Sequence, residues 1–409
     1  MTSARSTDAS IRVLATIAVL AGFSIPVSTA LQNISSALLV VAILLIPAAR
    51  RQIGTALRQP FSIGCLVFYA VFVLGVLWAP STHAAIGMLV KLRPYLLVPV
   101  IFAGCMLLPV RQGVLLGFGV GTLLSVVVSI ITALLHHPVL YGMPGDYQVF
   151  RTHTYHDSFA SILILSIAAF WLKGAIAPRY RKLTALVLAA CVVDVFLFVA
   201  GRTAQGALLA ALCCLLLLWD VRKGIVGMLV LVVLGAVFFS SSNMLKSEVT
   251  RAQYDLQQAQ KGVLRSGNYE NSLGLRLFFW RNAMAVVEQK PVLGHGTGSY
   301  QAVIFEDQGA QGGRNPHCDY LWIAVETGVV GVLATLAMLI CGLVQASRLA
   351  SPERWAATLL VVTFALTALL NSYFTDNITG TGFILLAAAM FAGRWFEPRS
   401  DATRGLRQS

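Results

Sequence analysis

The run GIVGMLVLVVLGAVFFSS, residues 224–241, contains no charged side chain. In hydrocarbon every backbone N–H and C=O must be bonded inside the chain, which leaves only helices and closed barrels as spanning structures. A barrel strand alternates over about 10 residues, whereas this run is continuously apolar. It therefore reads as a helix. AQGALLAALCCLLLLW (204–219) repeats the pattern, and both runs approach the roughly 20 residues a spanning helix needs. Composition extends the reading to the whole chain. Of 409 residues, 57% are hydrophobic and 11% charged, against about 25% charged in a soluble domain.

The expected fold is an all-α polytopic membrane protein of about twelve spans. They fall at 12–30, 31–47, 62–79, 84–108, 113–135, 158–172, 183–200, 203–219, 224–241, 317–345, 355–372 and 379–395. Pro47, Pro80, Pro109 and Pro138 punctuate the early ones. IRVLATIAVLAGFSIPVSTA (11–30) reads as a full span rather than a cleaved signal. Six cysteines lie in apolar segments and Cys318 stands alone, so neither a disulfide framework nor a zinc spacing is expected.

Sidedness follows from the bias of Lys and Arg toward cytoplasmic loops. With a cytoplasmic N-terminus, Arg50, Arg51, Arg58, Arg111, Lys173, Arg179, Arg181, Lys182, Arg222, Lys223, Arg348, Arg354 and Arg394 all fall inside. Both termini are then cytoplasmic. The formal charge of +13 follows from this bias and does not point to nucleic acid. Two outer segments are long, 136–157 and 242–316. The chain thus divides into spans one to nine (1–241), an outer loop or helical cap (242–316), and spans ten to twelve with a cytoplasmic tail (317–409). LRLFFWRNAMAVVEQ (275–289) reads as an amphipathic helix of the cap, and KPVLGHGTGSY (290–300) as a Gly-rich turn leaving it.

Chemistry is expected at the outer face. In RNPHCDYLWIAVETGVVG (314–331), Asn315 reads as an N-cap, Pro316 as the first helical residue and His317 as part of the first turn. On a helical wheel Leu321, Ala324, Gly328, Gly331 and Thr335 share its face, a small-residue seam for a partner helix. The positive helix end should depress the imidazole pKa and keep a neutral base available. Read from the residues alone, His317 is equally a base or an interfacial side chain. The outer and intramembrane cations are Lys91, Arg93, Arg151, Arg202, Lys246, Arg251, Lys261, Arg265, Arg276, Arg281, Lys290 and Arg314. Arg202 lies where the positive-inside rule disfavours it. Lys91 and Arg93 lie within a span, where charge is costly and marks function unless the chain snorkels to lipid phosphate. Converging arginines suit a pyrophosphate, which their planar forks bind in bidentate fashion.

Acids near this face are few: Asp157, Asp319, Asp376 and the intramembrane Asp194, which is placed to pair with a cation. The string His153, His156, Asp157 has the residue types of a metal site, although interfacial hydrogen bonding accounts for it as well. GHGTGS (294–299) lacks the GK[ST] ending of a phosphate loop.

These motifs resemble the O-antigen ligase and polymerase superfamily, polytopic bacterial glycosyltransferases of the GT-C type. His317, Gly328 and Gly331 match its pattern of His, then Asn, Ser or Gln, nine residues, Gly, two residues and Gly. Cys318 departs from that pattern at the second position. Arg276, Trp280, Pro291, Gly294, Gly296 and Gly298 match an Arg-x-x-x-Trp helix followed by Pro-x-x-Gly-x-Gly-x-Gly. Arg202 matches the arginine that leads a further motif, where Gly206 replaces the Leu of some ligases. The resemblance is specific over about 190–335.

It implies transfer of a glycan from undecaprenyl pyrophosphate to a sugar hydroxyl of lipid A core, at the periplasmic face of the inner membrane. Neither ATP nor a metal or other cofactor is implied. His317 is then the expected base, and Arg202, Arg265, Arg276, Arg93 and Lys91 the expected pyrophosphate ligands. The same residues fit an O-antigen polymerase or a protein O-oligosaccharyltransferase, which differ in acceptor. A transporter of an anionic solute is the reading from another class. It is disfavoured because the chain shows no paired repeat and its polar residues gather at one face.

Overall fold

The computed structural model describes residues 2–241, 250, 254, 272–308 and 315–395. The chain forms helices α1 (Thr2–Val27), α2 (Thr29–Leu45), α3 (Pro47–Arg50), α4 (Ile53–Leu57), α5 (Pro60–Gly75), α6 (Thr82–Cys105), α7 (Leu108–Leu134) and α8 (His153–Leu172). It continues with α9 (Pro178–Val193), which runs into a π-helical turn Asp194–Phe198, then α10 (Arg202–Trp219) and α11 (Val221–Ser241). After the outer segment come α12 (Ser272–Gln289), α13 (Tyr300–Gln308), α14 (Asp319–Ser347), α15 (Glu353–Ala368) and α16 (Asn377–Phe391). The described residues contain no β-strand, and the protein is an all-α polytopic membrane protein.

A helix lies at each of the twelve predicted spans. Seven are long and apolar enough to cross a membrane unaided, and α2 with α3–α4, bent by 85°, makes up to an eighth. The bend falls where Ile46 is extended ahead of Pro47, as the residue before proline prefers. Of the predicted cap, 242–316, residues 242–249, 251–253, 255–271 and 309–314 lie outside the described residues.

Two contacts organise the bundle. Along α7, Gly113, Gly117 and Gly121 lie against the carbonyls of Ala15, Val19 and Phe23 on α1; a Cβ at Gly117 would stand 2.0 Å from the Val19 oxygen. Glycines four apart let the two backbones touch. The centre is α16, buried at every position from Thr379 to Phe391. It is apolar all round, as a helix enclosed by others must be. Phe61 meets Phe383 and Phe391 edge-on at 5.7 and 4.9 Å, and Phe364 lies 4.6 Å from Phe383.

Two expectations for the final third need correction. α14 begins at Asp319, and Cys318 is its extended N-cap. Asn315, Pro316 and His317 precede the helix, so His317 belongs to no helical face and the wheel-based seam is absent. α14 is also broken at Gly328, with φ 63° and ψ −161°, a conformation essentially restricted to glycine.

Candidate active site

His317 sits in a tight turn with φ 50°. Asn315 makes that turn: its Oδ1 accepts the His317 N–H at 2.7 Å and the Ser372 hydroxyl at 2.9 Å. The indole of Trp280 on α12 donates to the Pro316 carbonyl at 2.9 Å, and the Phe279 ring stacks over the imidazole at 6.5 Å. Across the turn, His317 Nδ1 faces Asn371 Oδ1 at 3.2 Å. That amide atom also accepts the Ser372 N–H at 2.9 Å, which identifies it as oxygen. An oxygen facing Nδ1 requires the proton there, so the lone pair is on Nε2.

Burial lowers the His317 pKa from its ordinary value; the Arg276 charge lowers it further, and the Asn371 hydrogen bond opposes both. The expected direction holds, but its main cause is burial beneath α12 rather than a helix N-terminus.

The loop carrying Asn371 hangs from Asp319. This fully buried carboxylate accepts the N–H groups of Tyr373, Phe374 and Thr375 at 2.5, 2.6 and 3.2 Å, and the Thr375 hydroxyl at 2.5 Å. A buried carboxylate is tolerated when its lone pairs are filled in this way. Asp319 is therefore a support for the loop, and Asn371 is a residue that sequence reasoning missed.

The cations divide. Arg276 is half-buried on α12; its Nη1 donates to Thr203 Oγ1 at 3.3 Å. This joins α12 to the first turn of α10, where the exposed Arg202 is the neighbouring residue. His317, Arg276 and Arg202 thus gather at one end of the bundle. Arg93 is engaged elsewhere: it donates to Val90 O at 2.9 Å and to Asn33 Oδ1 at 3.0 Å, and Asn33 in turn accepts from Asn377 at 3.1 Å. Lys91 is exposed on the same helix. Arg151 is buried and bonds Ser24 O, Ile25 O, Thr29 and Gln32, closing the α1–α2 junction. Arg265, with Lys246, Arg251, Lys261 and Arg314, lies outside the described residues.

The histidines of the 153–157 string face different acids. His153 meets Asp146 at 3.1 Å, and His156 meets the buried Asp194 at 2.6 Å. Asp194 therefore pairs with a histidine of α8. Among the described residues no group of three or more His, Cys, Asp or Glu side chains is placed to hold a metal.

The Gly-rich turn plugs the break in α14. Val329 N donates to Pro291 O at 2.8 Å, while Val325 O and Glu326 O accept from His295 N and Gly296 N at 2.9 and 2.8 Å. The backbone groups freed by the break are thus bonded again. Gly294, Gly296 and Gly298 all have positive φ, and a Cβ at Gly328 would stand 2.2 Å from the Val292 oxygen. The glycines of the two motifs are one packing unit.

The protein is a helical polytopic membrane bundle in which His317, Arg276 and Arg202 lie toward one end. Residues 186–336 match the family described as O-Antigen ligase, so the resemblance to that superfamily holds over this segment. No curated protein matches the chain.

Proposed function

We propose that the protein transfers a glycan from undecaprenyl pyrophosphate to a sugar hydroxyl of lipid A core, at the periplasmic face of the bacterial inner membrane. One observation carries the assignment of the base: Asn371 holds the Nδ1–H tautomer of His317, with Nε2 left as proton acceptor. Nε2 takes the proton of the acceptor hydroxyl as that oxygen bonds to the anomeric carbon. The bond from the anomeric carbon to the phosphate oxygen breaks, and undecaprenyl pyrophosphate leaves with the electron pair. A single displacement inverts the anomeric configuration. Arg276 and Arg202 are placed to hold the pyrophosphate and stabilise the charge growing on it. Arg265 is a third candidate from the sequence. Arg93 and Lys91 rank behind these, because Arg93 is bonded to Asn33 within the bundle. The activated donor supplies the driving force, so no step calls on ATP or a metal.

The test is transfer by the purified protein from lipid-linked glycan, offered lipid A core, a second lipid-linked glycan and a hydroxyl-bearing protein. Labelling of lipid A core supports the ligase; labelling of either other acceptor reassigns the enzyme to polymerisation or protein glycosylation. His317→Ala should abolish transfer while leaving the protein folded and the donor bound. Substantial residual transfer would remove His317 as the base.

A further inference from the structure

We infer that Glu326 is a positioning residue: its buried carboxylate clasps the outer loop into the break of α14 and so sets Arg276 and Phe279 against His317. The inference rests on the transfer reading above. Glu326 is 1% exposed, and a carboxylate inside a bundle is costly unless donors fill its lone pairs. Here Oε2 accepts the Gly298 N–H at 2.9 Å and Oε1 accepts the Trp322 indole N–H at 2.8 Å. Trp322 in turn stacks on Tyr300, the first residue of α13, at 4.5 Å. One side chain of the spanning helix therefore holds both the end of the Gly-rich turn and, through Trp322, the helix that follows it.

The same turn is wedged between two elements. On its far side Thr297 N donates to Gly75 O at 3.1 Å, and Trp78 Nε1 donates to Leu293 O at 3.2 Å. The turn is continuous with α12, which carries Arg276, Phe279 and Trp280. α12 is thus fixed at its C-terminal end by the clasp and near its middle by the Trp280 bond to Pro316. His317 lies two residues before α14 begins, and Glu326 lies two residues before its break at Gly328. The clasp at one end therefore fixes what reaches the histidine at the other. Loss of the clasp leaves α12 tethered by Trp280 and by the Arg276 bond to Thr203. A misplacement of about 1 Å in a catalytic constellation costs on the order of 10²-fold in rate.

Both carboxylate oxygens face N–H donors, so glutamine, which has one acceptor oxygen, must turn its NH₂ toward one of them. Glu326→Gln keeps the size of the side chain and removes half of the clasp. The experiment uses the full-length protein in lipid vesicles with lipid-linked glycan and lipid A core. Glu326→Gln should lower kcat/KM by at least about tenfold and speed hydrogen exchange at residues 294–298. Its acid limb of kcat/KM should move up toward the ordinary imidazole value, because the Phe279 cover and the Arg276 charge recede together. Gly298→Ala attacks the clasp from the other side and should give the same three changes. Wild-type transfer in both variants, or unchanged exchange at 294–298, overturns the inference. So does lowered transfer with an unmoved acid limb. If the wild-type protein shows no transfer at all, the proposed function fails, and the exchange measurement still decides whether the clasp exists.

Discussion

A histidine at positive φ is held by its neighbours and not by its helix. His317 has an asparagine below it, an aromatic ring above it and an amide oxygen on Nδ1. Asn371→Ala frees the tautomer and should lower kcat about tenfold or more with little change in donor KM, which steady-state kinetics would read. The base is active when neutral, so kcat/KM should fall as pH falls through the His317 pKa. Burial sets that pKa below the ordinary 6.5 or so, and the profile should be flat from about pH 7 upward. A limb centred above 6.5 would contradict the burial seen here. Asp319→Ala leaves three loop N–H groups without their acceptor and should cost about 3 kcal/mol or more, read as a lowered melting temperature. His317 was legible in the sequence because it is polar at the edge of an apolar run. Asn371 was not: 54 residues separate the partners, and only the folded loop brings them together. Glu326 was hidden for another reason, since a single acid inside a span carries no periodic signal of what it bonds.

Among the elements, α14 departs most from what its sequence promised. Its apolar run is continuous, so a pattern of period 3.6 predicts an unbroken helix. Gly328 breaks it because the turn at Pro291–Gly298 supplies the missing backbone partners, a condition that lies outside the segment itself. Gly328→Ala should therefore destabilise the protein by more than the ~1–3 kcal/mol of backbone strain alone, because the new methyl also meets the Val292 carbonyl. Thermal unfolding in detergent measures it. The N-cap gives the opposite case. Cys318 has the extended backbone of a cap and no side-chain hydrogen bond to the helix. Asn, a preferred cap residue and one the superfamily pattern allows here, should stabilise the protein by up to about 1 kcal/mol. This accounts for the position the sequence left unexplained: the second residue of the motif is a helix cap.

Across the whole molecule, the placement of the apolar helices was readable because each is a local hydropathy event. Which helices touch was not, since packing between spans depends on small residues whose partners lie far along the chain. Sidedness has its own test: a cysteine at Tyr141 should react with an impermeant thiol reagent from the periplasm, and one at Ala175 should not. The α1–α7 contact also bears on how the protein is made. Gly22 of α1 faces Val114 of α7 as closely as Gly117 faces Val19, so each backbone completes the surface of the other. The ribosome delivers α1 to the membrane before α7 is made. α2 to α6 must therefore insert around a helix whose tightest face is open to lipid. α1 therefore enters before its tightest partner and is fully packed only when the Gly113–Gly121 face arrives.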